Sequence, residues 1–371
     1  MTCSAHGPSD TKLRTNIVKS SVIRIGALIL IPCLVIGYLL KDEALERWHD
    51  ELTEYEKLKD GHYIPVVEAK ELSHKRKIGV LIFGDGGTGG TTQHDVGSGM
   101  WDFCQKKTCD LIIGLGDNIY PAGVTSVSDP LWKSNFESPY QNFVDAAYPD
   151  FWMLIGNHDR RGSKDAQLRY SEHSPIWKMP ALDYFIPNLP GWLNIYVLDT
   201  TFIASGSKVP PFQSAFKTNF QQQLERASTH LCDKTGWRVL ATHHPLVSNG
   251  ARYNRFRENN VYDALYAFIE DCGINLVLSG HEHLQQHVQM DGVDYLIQGA
   301  ASSTRTRAKP LQHHSALSRY LGYQLGFGHL SFTAEKVTIR FNDYRGKSLY
   351  SGTIAYEKAN KRQGLASENF Q

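Results

Sequence analysis

The sequence predicts an α/β fold in which two mixed β-sheets pack together and helices cover their outer faces. Three observations support this prediction. Six short, continuous apolar runs recur along the chain, later runs alternate between apolar and polar residues, and helical segments lie between several of the runs. Continuous runs are typical of strands covered on both faces, whereas alternating runs are typical of strands with one covered face.

The strand and helix candidates can be assigned in chain order. The six continuous runs cover residues 77–84, 110–116, 151–156, 193–200, 237–243 and 274–280. The alternating runs follow at residues 293–299, 329–334 and 336–343. Helices are predicted over residues 217–229 and 261–272. Strands that alternate with helices and are followed by further strands indicate layered sheets with helices outside.

The N-terminal part of the chain is predicted to lie outside this fold. Residues 22–40 are apolar and, as a helix, would span about 28 Å, which is close to the thickness of a bilayer core. Their one charge, Arg24, lies in the first turn and can reach the interface. Basic residues precede the segment and acidic residues predominate after it. The positive-inside rule therefore places residues 1–21 in the cytosol.

These features predict a single-pass type II membrane protein whose main domain is lumenal or extracellular. The alternative is a cleaved signal peptide, but the basic region is long and no small-residue cleavage site follows the apolar segment. Residues 41–72, rich in Glu and Lys, are predicted to form a helical stalk, and residues 73–355 the main domain. The polar residues 356–371 are predicted to be a flexible tail.

Composition and cysteine content narrow the class of protein. The 371 residues are 41% hydrophobic and carry a formal net charge of +1, with Lys and Arg spread along the chain. This is an ordinary globular composition that predicts no nucleic-acid partner. Four cysteines follow the predicted membrane helix, on the oxidising side. A Cys232–Cys272 bridge, a Cys104–Cys109 bridge and free thiols are the alternatives.

Five of the strand candidates end in a glycine or another small residue that is followed by a side chain able to bind a metal ion. The candidate ligands are Asp85, Asp117, Tyr120, Asn157, His243, His281 and His283. Each of them alone is a common turn or loop residue. Ligands in open α/β sheets bind beyond the carboxyl ends of the strands, so we expect the five segments to converge.

The number and type of these residues predict two metal ions. Seven protein ligands are too many for one ion but suit two ions that share a carboxylate, and Asp117 is the natural bridge. Two ions about 3.5–4 Å apart can hold both the attacking and the leaving oxygen of a displacement at phosphorus. Tyr120 is the discriminating residue: a phenol has a pKa near 10, and a strongly Lewis-acidic ion such as ferric iron is needed to ionise it at neutral pH. A packed aromatic residue is the alternative for Tyr120.

The segments "DGG", "GDNIY", "GNHD", "LATHHP" and "GHEH" occur in the order found in the purple acid phosphatases. The sequence is similar to the small, tartrate-resistant type of this family, within the calcineurin-like metallophosphoesterases, over about residues 75–345. The resemblance implies the metallophosphoesterase four-layer sandwich. It also implies an acid phosphatase that hydrolyses phosphomonoesters.

The resemblance assigns roles to the candidate residues. The ferric ion would be held by Asp85, Asp117, Tyr120 and His283. A divalent ion (Fe, Zn or Mn) would be held by Asp117, Asn157, His243 and His281. The catalytic residue would be His158, which contacts the phosphate and stabilises the developing charge. The substrate-binding residues would be Asn157, His158, His244, Arg160 and Arg252.

The sequence departs from the family pattern in three places. Arg160 stands where the small members usually have a second histidine, and Arg252 lies near the place of the histidine that often supplies the leaving-group proton. Arginine cannot act as that acid, but both arginines suit phosphate, and solvated surface arginine is the alternative. His244 is another candidate proton donor; otherwise the leaving groups are restricted to good ones. The third departure is the predicted membrane anchor, which is not typical of the secreted relatives.

Two other functions are consistent with the sequence. One is a phosphodiesterase or nucleotidase of the same fold, against which Tyr120 argues because the matching position in most diesterases is not a metal ligand. The other is a membrane-tethered scaffold that keeps a phosphatase fold for protein binding. Against the scaffold, all seven ligand positions are filled.

Overall fold

The computed structural model describes residues 67–201, 212–252, 261–311 and 313–356. In chain order, the strands of this part are β1 (Ile78–Phe83), β2 (Leu111–Gly114), β3 (Asp150–Met153), β4 (Trp177–Lys178), β5 (Tyr184–Phe185), β6 (Leu193–Val197), β7 (Trp237–Ala241), β8 (Leu276–Ser279), β9 (Gln285–Met290), β10 (Val293–Gln298), β11 (Leu317–Gly322), β12 (Gly326–Phe332), β13 (Lys336–Asp343) and β14 (Ser348–Ala355).

The helices lie mainly between the early strands. They are α1 (Thr91–Cys104), α2 (Gln141–Ala146), α3 (Lys164–Arg169), α4 (Phe212–Leu231) and α5 (Val261–Asp271). Short 3₁₀ turns at Asp159–Arg161 and Tyr170–Glu172 and a π turn at Lys133–Glu137 complete the set.

The strands form two mixed sheets, as the sequence predicts. The first has the order β14-β13-β12-β1-β2-β3-β4, and the second has the order β11-β9-β10-β8-β7-β6-β5. In the first sheet, β1 to β4 run parallel and β12 pairs with β1 antiparallel. In the second, β6, β7, β8 and β10 run parallel. Neighbouring parallel strands end at the same edge of a sheet. The polar residues that follow these strands therefore lie close together at that edge.

Apolar side chains hold the layers together. One buried cluster joins the sheets and includes Ile113 of the first sheet and Ile195 and Leu278 of the second. A second cluster packs Phe220 of α4 and Leu265 of α5 on the outer face of the second sheet. Burying each such side chain contributes roughly 1.5–3 kcal/mol. The resulting order is helix, sheet, sheet, helix, with α1 covering the first sheet.

The nine strand candidates and the two predicted helices are present, but several elements were not predicted. The missed elements are α1, α2, α3, β4, β5, β9, β11 and β14. Strand β9 has the polar sequence "QQHVQM" and yet is almost fully buried. Its side chains find polar partners: Gln285 Nε2 donates to the Asn342 carbonyl at 2.9 Å, and His287 Nε2 lies 2.7 Å from Asp294 Oδ1.

The first described residues lie against the domain. The Leu72 amide donates to the Asn188 carbonyl at 3.0 Å, and the Lys70 amide donates to Asp150 Oδ2 at 2.9 Å. Residues 67–72, the end of the predicted helical stalk, are therefore not helical and pack on the main domain.

The structure bears only in part on the predicted membrane segment. None of the helices in the described residues has the length and hydropathy that crossing a bilayer requires. Most of the predicted terminal segments lie outside the described residues: the cytosolic tail at residues 1–21, the membrane helix at residues 22–40, the stalk from residue 41 to residue 66, and the flexible tail from residue 357 onwards.

Two disulfides pair the four cysteines of the main domain. Cys104 at the end of α1 pairs with Cys109, and Cys232 after α4 pairs with Cys272 after α5. The second bridge connects residues 40 apart and links the two helices that cover the second sheet. The alternative of free thiols is therefore not observed at these four positions.

Removing the long-range bridge is expected to destabilise the domain more than removing the short one. The chain-entropy model assigns about 4 kcal/mol to the Cys232–Cys272 loop and about 2 kcal/mol to the Cys104–Cys109 loop. Denaturant unfolding of two double Cys→Ala variants, one for each bridge, measures this difference. Equal losses of unfolding free energy would contradict the expectation.

Candidate metal centre

The structure brings all seven predicted ligands together at the carboxyl ends of the parallel strands. Asp85 follows β1, Asp117 and Tyr120 follow β2, and Asn157 follows β3. The remaining ligands, His243, His281 and His283, follow β7 and β8 of the second sheet. Both sheets therefore contribute to one site.

Four of the ligands form a first group around the Tyr120 hydroxyl. This oxygen lies 3.3 Å from Asp85 Oδ1, 3.0 Å from Asp117 Oδ2 and 3.4 Å from His283 Nε2. His283 Nε2 also lies 3.2 Å from Asp85 Oδ1. Two carboxylates, a phenol and an imidazole can thus reach one point.

A second group shares Asp117 with the first. Asn157 Oδ1 lies 3.0 Å from His281 Nδ1 and 3.3 Å from His243 Nε2. The other oxygen of the shared carboxylate, Asp117 Oδ1, lies 3.5 Å from His243 Nε2. Asp117 therefore directs one oxygen to each group, which is the arrangement that a bridging ligand requires.

Contacts outside the two groups fix the histidine rings. His243 Nδ1 lies 2.8 Å from the Leu115 carbonyl, and His283 Nδ1 lies 2.7 Å from Ser303 Oγ. Because a carbonyl oxygen only accepts, His243 Nδ1 is the donor in this contact, and Nε2 is the nitrogen that faces Asn157 and Asp117. Such outer contacts set the tautomer and the direction of metal-binding histidines.

The backbone is unusual at three ligands. Asp85, Asp117 and His281 have φ angles of 57°, 53° and 66°, which are uncommon for residues other than glycine. Strained residues of this kind cluster at functional sites, and they persist only where the surrounding structure holds them in place. Gly156 is needed for close approach, since a Cβ at this position would lie 2.2 Å from Asp117 Oδ1.

The electrostatics of the site suit metal ligands. Burial, followed by the charges of Asp85 and Asp117, raises the pKa of the Tyr120 phenol far above its usual range. Burial, followed by the neighbouring histidines, holds the pKa of His281 well below its usual value. The histidine is therefore neutral, as a ligand must be, and the phenol needs a strong Lewis acid to ionise.

Asp159 supports both groups and was not predicted. Its carboxylate accepts backbone N–H groups from Asn118 at 2.9 Å, Ile119 at 3.0 Å and Gly156 at 2.8 Å. These bonds connect the loop that carries Asp117 to the loop that carries Asn157. The sequence signal was available as the last residue of "GNHD". Burial and the charge of Asp117 raise the pKa of Asp159 to about 7.

Asp159 is expected to make the stability of the metal-free protein depend on pH. The folded chain keeps a proton on this carboxyl up to about pH 7, whereas an unfolded Asp loses it near pH 3.8. The contribution of Asp159 to the free energy of unfolding therefore falls as the pH rises through this window. In the presence of chelator, Asp159→Asn should gain melting temperature relative to wild type from pH 4 to pH 7. A parallel pH dependence of the two proteins would contradict this, and the exposed Asp145→Asn is the control.

His158 lies beside the first group. Its backbone N–H donates to Asp117 Oδ1 at 2.8 Å, and its Nδ1 lies 2.6 Å from the Pro121 carbonyl. Its ring centroid is 4.5 Å from that of Tyr120. Because Nδ1 is held by the carbonyl, Nε2 is the ring nitrogen that remains for a substrate.

His244, which is predicted to bind substrate, lies among the predicted metal ligands. Its Nδ1 is 3.0 Å from Thr200 Oγ1, and the residue is buried. His243, His244 and His281 each offer a nitrogen within 4.8 Å of the others, so the three together could also hold an ion. Burial, followed by the charges of His243, Arg252 and Arg160, holds the pKa of His244 well below its usual value.

The charges of the two predicted phosphate-binding arginines both lower the pKa of His244. Arg160 lies in the short turn after His158, and Arg252 is positioned by Glu282, whose Oε1 accepts the Arg252 amide at 2.8 Å. Glu282 was not predicted to have a role, although it stands between two predicted ligands.

Comparison with known proteins identifies the family of this chain. A family model described as calcineurin-like phosphoesterase matches residues 80–285. This chain belongs to the calcineurin-like phosphoesterase family. The match begins in β1 and ends at β9, so it spans every ligand segment of the site.

Relatives of this phosphoesterase include acid phosphatases of animals and plants. The chain is 30% identical over 267 residues to tartrate-resistant acid phosphatase type 5 of Oryctolagus cuniculus, covering 66% of this chain and 79% of that protein. It is 25% identical over 291 residues to purple acid phosphatase 7 of Arabidopsis thaliana, covering 75% and 86% of the two chains. The resemblance to purple acid phosphatases is confirmed.

Solved structures share the fold. One described as GAP50, the anchor in the inner membrane complex of Plasmodium, aligns with a TM-score of 0.63 at 19% identity and covers 77% of this chain and 91% of that one. Purple acid phosphatase PPD1 from yellow lupin aligns with a TM-score of 0.57 at 14% identity, covering 77% and 55%. At these identities the likeness concerns the fold alone.

Proposed function

We propose that this phosphoesterase is an acid phosphatase that hydrolyses phosphomonoesters with a binuclear metal centre. The main support is that the two oxygens of the Asp117 carboxylate face different ligand groups. Asp117 Oδ2 is 3.0 Å from the Tyr120 hydroxyl, and Asp117 Oδ1 is 3.5 Å from His243 Nε2. A single carboxylate between two converging ligand groups is what two ions at bridging distance need.

The donor atoms fit the two ions that the resemblance implies. The group of Asp85, Asp117, Tyr120 and His283 contains three hard oxygen donors and suits Fe(III). The group of Asp117, Asn157, His243 and His281 suits a divalent ion, either Fe, Zn or Mn. When bound, the ions would polarise the phosphoryl oxygens and lower the pKa of a water molecule.

The chain's own residues would bind and orient the phosphate. His158 Nε2 is available for a phosphoryl oxygen because Pro121 fixes the other ring nitrogen. Arg252 would add positive charge at the edge of the site, and Arg160 would add it beside His244, which matches the negative charge of a monoester. The Asp159 carboxylate would keep the two ligand loops in register.

Membrane anchoring is part of the proposal. The support is the apolar segment at residues 22–40 and the charge difference across it. The catalytic domain would be lumenal or extracellular, and the two disulfides are consistent with an oxidising compartment. Protease protection of the full chain in sealed microsomes tests this: a fully digested domain would contradict the proposed topology.

The first test of the catalytic proposal is a visible spectrum with metal analysis on the same purified protein, together with hydrolysis of 4-nitrophenyl phosphate. We expect two metals per chain, a broad charge-transfer band, and hydrolysis that is faster at acidic pH. Two metals without the band would remove the ferric assignment and favour the diesterase or nucleotidase alternative. A folded protein that binds no metal would favour the scaffold alternative.

A further inference from the structure

A cavity of about 440 Å³ lies beside β5, the edge strand of the second sheet. Strands β3, β5 and β6 and the exposed side of α4 form its walls. Its aromatic wall residues are Trp152, Tyr184, Phe185, Tyr196 and His230. None of the described residues that line it is a predicted metal ligand or a predicted substrate-binding residue. A volume of this size is within the range of ligand sites in proteins.

The carboxylate, the guanidinium and the two tyrosine hydroxyls of the cavity wall already have partners. Arg226 donates to Asp183 from Nε at 2.9 Å and from Nη2 at 2.8 Å. The Tyr196 hydroxyl donates to Asp183 Oδ2 at 2.7 Å, and the Tyr184 hydroxyl donates to the Met153 carbonyl at 2.6 Å. The ring faces are therefore the main surface left for an occupant. Such a wall favours an apolar occupant, because a buried charge without a partner is costly.

The rings of the wall form a continuous apolar surface that is partly open. His230 stacks on Phe185 with the ring centroids 5.1 Å apart and the planes inclined by 13°. Phe185 is partly exposed, as are Pro180 and Pro187, which also line the cavity. Grooves lined by aromatic residues are typical docking sites for extended segments that contain proline.

The described part of the chain enters the main domain at this cavity. Its first residue, Val67, is one of the wall residues and packs against the buried cluster that joins the sheets. Three residues later, the Lys70 amide donates to Asp150 Oδ2 at 2.9 Å, so the backbone that follows Val67 is fixed on the domain. A residue spans at most about 3.6 Å, and residues 64–66 are therefore within roughly 11 Å of the cavity wall.

The residues that precede Val67 have the composition that the cavity favours. Residues 63–67 read "YIPVV" and carry no charge, whereas 12 of the 22 residues at positions 41–62 are Asp, Glu, Lys or Arg. Pro65 disfavours a helix and biases Ile64 toward extended backbone. The uncharged stretch of the predicted stalk is thus the part that reaches the cavity.

We propose that residues 63–66 of this chain dock in the cavity, with the Ile64 side chain against the ring of Phe185. The end of the predicted stalk is then a built-in ligand of the main domain, and it closes the cavity to other apolar molecules. The free part of the stalk ends at residue 62. This inference does not depend on the proposed phosphatase function, because the cavity and the metal centre share none of the residues named for either.

Disulfide trapping in the full chain tests the docking directly. Ile64→Cys is combined with Thr229→Cys, which places the second thiol on the side of α4 that lines the cavity. Under mild oxidation we expect most of the protein to form this cross-link, which mass spectrometry of a digest locates. Gln221→Cys, at an exposed position of α4 outside the cavity, is the control partner and should form little cross-link. Equal cross-linking of Ile64→Cys to both positions would overturn the inference.

Thermal unfolding of the full chain gives a second readout. Ile64→Ala should lower the melting temperature by about 2–4 °C or more, because it removes buried apolar contacts. Leu58→Ala, which changes an apolar residue in the charged part of the stalk, is the matched control and should have little effect. The double variant Ile64→Ala and Phe185→Ala should lose less than the sum of the single losses, since side chains in contact are not additive. Additive losses, or equal melting of Ile64→Ala and wild type, would overturn the inference.

Limited digestion with chymotrypsin keeps the inference testable if the cysteine variants do not fold. The stalk contains two tyrosines, and Tyr55 lies in its charged part, so it is an internal control for Tyr63. In wild type, cleavage after Tyr63 should be about tenfold or more slower than cleavage after Tyr55, because the docked backbone cannot enter the protease. Phe185→Ala should speed cleavage after Tyr63 and leave cleavage after Tyr55 unchanged. A Tyr63 rate that Phe185→Ala does not change would overturn the inference.

Discussion

Asp117→Asn is expected to remove most of the bound metal and to lower kcat/KM for 4-nitrophenyl phosphate by well over a hundredfold. The physical reason is that one carboxylate serves both groups: its two oxygens face Tyr120 on one side and His243 on the other. An amide keeps the shape but has one oxygen and no charge, so it cannot bridge two cations. Loss of an outer contact of a metal site already costs about 10–100-fold, and loss of a shared ligand costs more.

Metal analysis and kinetics on the same Asp117→Asn sample measure this result. The metal-free variant should melt no lower than metal-free wild type, because the substitution removes a buried charge that lies close to Asp85 and Asp159. A lower melting temperature would instead assign the activity loss to misfolding. Asp145→Asn, at an exposed helix position, should keep both metal and activity. Two metals retained in Asp117→Asn would contradict the bridging role.

Tyr120→Phe is expected to abolish the visible charge-transfer band while leaving the fold intact. The hydroxyl is the group that reaches Asp85, Asp117 and His283, whereas the ring is what packs against His158. Phenylalanine keeps the ring and loses only the oxygen. Since burial and the two carboxylates oppose ionisation of this phenol, the band would report an ion strong enough to displace its proton.

The measurement is the absorption spectrum of Tyr120→Phe and wild type at equal protein concentration, with iron content and melting temperature from the same samples. Tyr148→Phe, which changes an exposed tyrosine, is the control and should keep the band. A band that survives in Tyr120→Phe would show that another residue binds the ferric ion. A colourless wild type with two metals would exclude the tyrosine–ferric assignment.

Much of the fold was predictable because it depends on local apolar patterns. The buried strands β1, β2, β7 and β8 consist mainly of apolar residues, and this composition indicates burial on both faces. Strand β9 was not predictable, because its buried polar side chains depend on partners that the local sequence does not show. Asn342, which bonds Gln285, is distant in sequence, and Asp294, which contacts His287, lies on the neighbouring strand β10. Strand β14 was missed for a different reason: it is an edge strand whose residues are all exposed or only partly buried.

The sequence by itself determined which side chains meet. Parallel strands end at one edge of a sheet, so a polar residue after each apolar run must lie near the others, and seven candidate ligands could be named in advance. Only the tertiary structure decided how they meet. The left-handed backbone at Asp85 and Asp117, the three amides on Asp159 and the Glu282 carboxylate beneath Arg252 depend on contacts between distant segments. Local patterns encode burial, but the direction of a buried polar group is set by whichever partner satisfies its hydrogen bonds.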